Sequence, residues 1–176
     1  MTRSERLRLT LRSLLLAVCL SSAGSFASVP EGWRLLGSGE MRWFGFKLYD
    51  ARLWVPPAVT GERVQEASFA LELRYARDSP SARLVDASLE EMQRFGPADA
   101  AELASWRETL AQVFPNVQTG DIIIGRHDPQ RGAEFFHQGR ATGRIDDLAF
   151  ARRFFAIWLD PLTREPALRL RLLGNS

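Results

Sequence analysis

Residues 69–75, FALELRY, alternate without a fault. Phe69, Leu71, Leu73 and Tyr75 take one side, and Glu72 and Arg74 take the other. Side chains of a strand point to opposite faces in turn, so this segment predicts a strand with one dry face and one wet face. Such a half-buried strand fits an antiparallel sheet covered on one side.

The rest of the chain supplies the cover. The stretch WRLLGSGEMRWFGFKLYDARLWV (33–55) reads as two strands or one long bent one, with Gly37 and Gly39 marking a turn or bulge. Its apolar residues change parity: Phe44, Phe46 and Leu48 share one, while Tyr49, Ala51, Leu53 and Val55 share the other. Either a bulge near Leu48 and Tyr49 flips the pattern, or the strand is covered on both faces. After FALELRY, Ser79 and Pro80 suit a helix start, and Leu84, Val85, Leu89, Met92 and Phe95 form its apolar face up to Gly96 and Pro97. A second helix carries Leu103, Trp106, Leu110 and Val113. DIIIGRHD and AEFFHQGR, joined at PQRG, predict an antiparallel hairpin. Asp146 reads as the cap of a helix with Phe150, Phe154, Ile157 and Trp158 inside, and ALRLRLLG as a short closing helix that stops at Gly174. Strands, two helices, strands and helices in that order define an α+β domain, an antiparallel sheet with helices packed on one face.

The first 27 residues have a different character. A segment with four Arg and one Glu is followed by the short apolar run SLLLAVCL and the small, polar SSAGSFAS. That is the layout of a secretory signal peptide, with a cut after Ala27. The apolar run is under half of the roughly 20 residues that a membrane-spanning helix needs. Lipoprotein processing at Cys19 would place bulky Val18 where a small residue is wanted. Residues 28–176 are thus expected to form one periplasmic or secreted domain with no membrane span.

Cleavage also changes the charge. Subtracting four Arg and one Glu from 23 Lys+Arg and 21 Asp+Glu leaves 19 against 20, a net charge of −1. No basic patch for nucleic acid remains. The only cysteine, Cys19, leaves with the leader, so disulfides, thiolate catalysis and cysteine-based metal sites are excluded.

Catalytic motifs are equally scarce. There is no GxSxG, no GxxxxGK and no GxGxxG after a strand. His127 and His137 flank the predicted hairpin and could face each other, with Asp128 or Glu134 as a third ligand, yet polar residues at a hairpin rim explain them as well. Glu90 with Glu91 and Asp146 with Asp147 fit a solvated helix face and a helix start. The informative excess is aromatic: residues 28–176 keep all five Trp and nearly all of the eleven Phe. Such residues build either a bulky core or the lining of a small-molecule cavity.

Four segments carry a likeness to a known family: GSGEMRWFGFKLYDARLW, FALELRYARDSPSARLVD, FFHQGRATGRIDDLAFARRFFAIWLDPLT and the terminal LRLRLLG. Together they resemble the chalcone isomerase-like family over about residues 33–174, nearest to its bacterial secreted branch and to plant fatty-acid-binding relatives. The resemblance implies an open-faced β-sandwich with a ligand cleft between sheet and helices. In true chalcone isomerases an arginine on the first strand, a threonine two residues after a lysine, and a tyrosine and an asparagine on the following helix shape the cyclisation site. Here Arg42 matches the arginine, Lys47 the lysine, and Tyr49 replaces the threonine. The helix reads SPSARLVDASLEEM and has neither tyrosine nor asparagine. The resemblance therefore implies a non-catalytic module whose partner is a small amphipathic ligand such as a fatty acid, with no cofactor. Arg42 and Tyr49 are expected to point into the cleft and Lys47 to lie near its mouth. The alternatives are an intramolecular lyase of chalcone isomerase type and an interaction protein with a closed cleft. For Arg42 the alternative is a surface position paired with Glu40 or Glu72.

Overall fold

A computed structural model describes residues 29–175, so the expected leader lies outside the described residues. Six strands form one antiparallel sheet: β1 (Arg34–Trp43), β2 (Phe46–Val55), β3 (Phe69–Tyr75), β4 (Ile122–Asp128), β5 (Gly132–His137) and β6 (Arg140–Ile145). Each strand lies beside its neighbour in the chain, from β1 at one edge to β6 at the other. Helices α1 (Ser81–Met92) and α2 (Ala100–Val113) connect β3 to β4, and α3 (Leu148–Leu159) and α4 (Pro166–Leu172) follow β6. The helices cover one face; on the other, β3 is not wet as its alternation suggests, because Ala70 and Glu72 are buried beside Trp54, whose Nε1 donates to Glu72 Oε2 at 3.0 Å. Among the described residues no helix is long and apolar enough to cross a membrane.

The change of parity in β2 is a bulge. Met41 pairs with Tyr49 and Arg42 with Lys47, which leaves Leu48 as the extra residue. Beyond it Ala51, Leu53 and Val55 are fully buried on the covered face. A second irregularity sets Leu36 between the pairs Leu35–Trp54 and Gly37–Leu53. The turn between β1 and β2 lies at Phe44–Gly45, not at Gly37 or Gly39. Those glycines serve a close approach instead. A Cβ on Gly37 would collide with the carbonyls of Arg171 and Leu172, and one on Gly39 would come within 2.7 Å of the Leu168 side chain. They let α4 lie directly on β1.

Three local readings shift. Asp147, not Asp146, caps α3: its Oδ1 accepts from the backbone N–H of Ala149 at 2.8 Å and of Phe150 at 3.0 Å, while Trp106 Nε1 donates to Oδ2 at 2.9 Å. At α1, Pro80 takes the cap position and Ser79 instead forms a β-bridge to Val117; the Ser81 N–H donates to Asn116 Oδ1 at 2.8 Å. The segment after AEFFHQGR, to which the sequence reading gives no element, contains most of β6. That strand is a mostly polar edge, so apolar alternation does not reveal it.

The core sits between sheet and helices. Phe154 of α3 is its hub, with ring centroids 5.1–5.6 Å from Phe135, Phe150, Phe155 and Trp158. Such edge-on and offset contacts add about 0.5–1.5 kcal/mol per pair to the gain from burial. The opposite face holds a small cluster of Ala70, Ile124 and Phe136, bordered by Trp33 and Trp54. Around it run ion pairs such as Arg126–Glu134 at 2.8 Å.

Candidate functional site

A cleft of about 500 Å³ lies between the sheet and the helices. Its floor comes from Tyr49 on β2, Leu73 and Tyr75 on β3, and Phe135 on β5. Its roof comes from Leu84 on α1 and Trp158 on α3. Gly125 of β4 helps to shape the floor, since a Cβ there would press within 3.1 Å of the Phe155 ring. Side chains therefore do not fill the space between the layers, and the closed-cleft alternative does not hold.

Tyr49 and Tyr75 are cross-strand partners with ring centroids 5.9 Å apart. The Tyr49 hydroxyl accepts from Trp158 Nε1 at 3.0 Å, which ties α3 to the sheet and leaves the phenolic O–H free to donate. The Tyr75 hydroxyl has no hydrogen-bond partner among the described residues. Burial pushes both phenols well above the ordinary tyrosine value, and the acidic Glu165 and Glu91 near Tyr49 act in the same direction. Both stay neutral donors at any physiological pH.

Charge is confined to the rim. Arg164 spans Glu90 at 3.5 Å and Glu91 at 3.1 Å, and Arg94 reaches Glu91 at 3.1 Å. Arg77 and Arg83, which also line the cleft, have no carboxylate partner among the described residues. Asp78 between them accepts from the Thr119 N–H at 2.7 Å and the Thr119 hydroxyl at 3.0 Å.

The sequence-derived trio is split by the bulge. Tyr49 lies on the cleft floor. Arg42 does not: it is exposed on the sheet's open side, donating to Glu40 Oε1 at 2.7 Å and to the Gly45 carbonyl at 3.0 Å. Lys47 pairs with Asp50 at 2.6 Å and Glu40 at 3.6 Å. Hydrogen bonds from Arg42 hold the Glu40 carboxyl below its ordinary value, and the bond to Asp50 raises Lys47. The reason is register. Met41 is the β1 residue opposite Tyr49, so strand alternation turns Arg42 outward. Tyr75, Trp158, Arg77 and Arg83 were not singled out from the sequence. Tyr75 had a signal: it ends the buried parity of FALELRY, where a hydroxyl needs an explanation.

The histidines do not face each other. His127 pairs with Ala133 and His137 with Ile123. His127 is buried, donates from Nδ1 to the Ala67 carbonyl at 3.0 Å, and stacks on Phe69. His137 Nε2 contacts Asp121 Oδ2 at 3.0 Å. Among the described residues no three His, Cys, Asp or Glu side chains gather as metal ligands.

With an open-faced antiparallel sheet, helices on one face and a cleft between them, the architecture is that of the chalcone isomerase fold. The family model described as chalcone isomerase-like matches residues 31–174, and the chain belongs to that family. A search of curated proteins returns no sequence match. Among solved structures the fold is similar to the crystal structure of an Arabidopsis thaliana fatty-acid binding protein, with a TM-score of 0.65 at 15% identity, over 85% of this chain and 90% of that one.

Proposed function

We propose that this is an exported, non-catalytic binding module that holds a fatty acid or similar amphipathic anion in the cleft. The observation that carries the reading is the cleft itself: about 500 Å³ of aromatic-lined space into which two neutral phenols project. Pockets that take small organic molecules span about 300–1,000 Å³ and combine apolar walls with a few polar groups that set orientation. The fold of a plant fatty-acid binding protein supports the same ligand class.

The acyl chain lies among Phe135, Leu73 and Trp158. Its head group takes O–H donors from Tyr49 and Tyr75 and charge from Arg77 and Arg83 at the rim, with no part for Arg42 or Lys47. Hydrogen bonds to a charged acceptor are the stronger kind, and they are stronger still where water is scarce. The absence of turnover rests on α1, which has no tyrosine or asparagine where a chalcone isomerase needs them. Export rests on the arginine-led apolar leader.

Native mass spectrometry of protein drawn gently from a periplasmic extract tests the reading. An intact chain beginning near Ser28 and carrying a fatty acid, with the adduct lost in a Tyr49→Phe/Tyr75→Phe variant, is the expected result. An empty parent protein, or turnover of a hydroxylated chalcone, contradicts it.

A further inference from the structure

The β1–β2 turn presents a surface that the cleft does not explain. Trp43, Phe44 and Phe46 are 49%, 85% and 63% exposed, three large rings within four residues at the tip of one hairpin. Trp43 and Phe44 meet edge to face at 5.1 Å. The two central residues both have positive φ, +47° at Phe44 and +82° at Gly45. Such two-residue turns favour Asn-Gly, because a bulky side chain is strained in the left-handed region. Phe44 therefore occupies the position where an aromatic ring is least suited, and it is among the most exposed large apolar side chains described. Strain of this kind is found where function holds it in place.

Two further observations say what covers the rings. The first is charge. Arg42, Lys47 and Arg77 surround the tip. Glu40 and Asp50 answer Arg42 and Lys47, while Arg77 lies over the Phe46 ring at 5.3 Å with no carboxylate partner among the described residues. The second is position, because Trp43 and Arg77 also line the cleft. The tip and the mouth of the cleft are one continuous surface.

We infer that the Trp43–Phe46 hairpin docks into the interfacial layer of a bilayer containing anionic lipid. Trp and Phe rings settle at the boundary between head groups and acyl chains, and basic residues beside them are drawn to anionic head groups. A second copy of this chain fits less well. A narrow convex tip offers little area against the roughly 800 Å² per partner of a stable interface, and tip-to-tip contact would bring together two Arg77 side chains that have no carboxylate partner among the described residues. Docking in this pose sets the mouth of the cleft against the membrane, where an amphipathic anion can pass between bilayer and protein without crossing water. The surface itself is defined whether or not the cleft holds a ligand.

Co-sedimentation with vesicles tests the inference, using parent and Phe44→Asn/Phe46→Ser proteins purified alike with the same N-terminus. Asn suits the positive φ, so the turn is retained. The parent is expected to sediment with phosphatidylcholine–phosphatidylglycerol vesicles more than with phosphatidylcholine alone, and the variant to bind about tenfold less or weaker still. Equal sedimentation of parent and variant, or a parent that stays in the supernatant with both vesicle types, overturns it. So does a parent that is a dimer in the analytical ultracentrifuge when the variant is a monomer, because the tip is then a contact between copies. Titration of both proteins with a fatty acid in the absence of vesicles separates this from the cleft reading: undiminished binding by the variant confines its defect to the tip, and no binding by either protein defeats the cleft reading alone.

Discussion

The two faces of the sheet use neighbouring residues to opposite ends. On the covered face, Met41 and Tyr49 lie opposite each other beneath α3 and α4, among rings and aliphatic chains. On the open face, Arg42, Lys47, Glu40 and Asp50 form a solvated network one residue away. Composition does not separate the two sets; register does, through the extra residue Leu48. The difference is also energetic. The charges of that network keep their water, so their pairs contribute little. Side chains on the covered face exclude water, so each methylene and each hydrogen bond there counts for more.

That contrast can be broken in order of size. The largest effect is expected from Phe150→Ala. The ring is fully buried under α3, and its removal should cost about 3–5 kcal/mol, read as a lower urea midpoint. On the open face, Glu134→Gln removes the pair with Arg126 and should cost no more than about 1 kcal/mol in the same measurement. Comparable losses at the two sites would erase the distinction between the faces. Gly37→Ala comes next. Its new methyl group meets the carbonyls at the end of α4, so that helix must move, at an expected cost of about 1–3 kcal/mol. Amide exchange in α4 should quicken with it, and unchanged exchange would show that the contact is not close. Trp158→Phe deletes the donor to Tyr49 while keeping an aromatic ring, and should cost about 1 kcal/mol.

A smaller effect depends on pH. Burial holds the His127 imidazole below its ordinary value of 6.5, against the opposing pull of the Ala67 carbonyl and Asp128. The unfolded chain then binds the proton more readily than the folded one. The stability from neutral His127 is complete above about pH 6.5 and is lost as pH falls toward the folded value. Asp147 adds to the loss at lower pH, below about 3.8. Burial raises its pKa, but hydrogen bonds from the Phe150 N–H, the Trp106 ring and the Ala149 N–H outweigh that and hold it down. The urea midpoint should be flat from pH 8 to 7 and fall below pH 6.5. His127→Asn, which can retain a donor toward Ala67, should flatten the first part of that fall and leave the second. An equal slope in both proteins would place the titration elsewhere.

Much of the fold was legible in the sequence, for identifiable reasons. The alternation of Phe69–Tyr75 carries the one-sided sheet, and the clash of parities around Leu48 is itself the mark of a bulge. The helices show through their apolar stripes. Strand β6 was not legible, because Arg140–Ile145 is an edge strand with little apolar content. Gly37 and Gly39 look like turn residues in the sequence because a glycine's need for space depends here on a helix more than a hundred residues later in the chain. The site was only partly legible. Tyr49 could be placed by its buried parity, whereas Arg42 was assigned to the cleft through family resemblance against its own alternation with Met41. Arg77 and Arg83 stand at the cleft because the β3–α1 connection and the start of α1 border it, a relation that no local pattern encodes.

The central claim is that ligand is taken on the covered face. The most direct test is calorimetric titration of the purified protein with a saturated fatty acid, run in parallel on Arg42→Ala and Tyr49→Phe/Tyr75→Phe. The account predicts that Arg42→Ala binds as the parent does, while the double tyrosine variant loses about tenfold or more in affinity at unchanged fold. Loss of binding in Arg42→Ala with retention in the tyrosine variant would place the ligand on the open face and contradict the account.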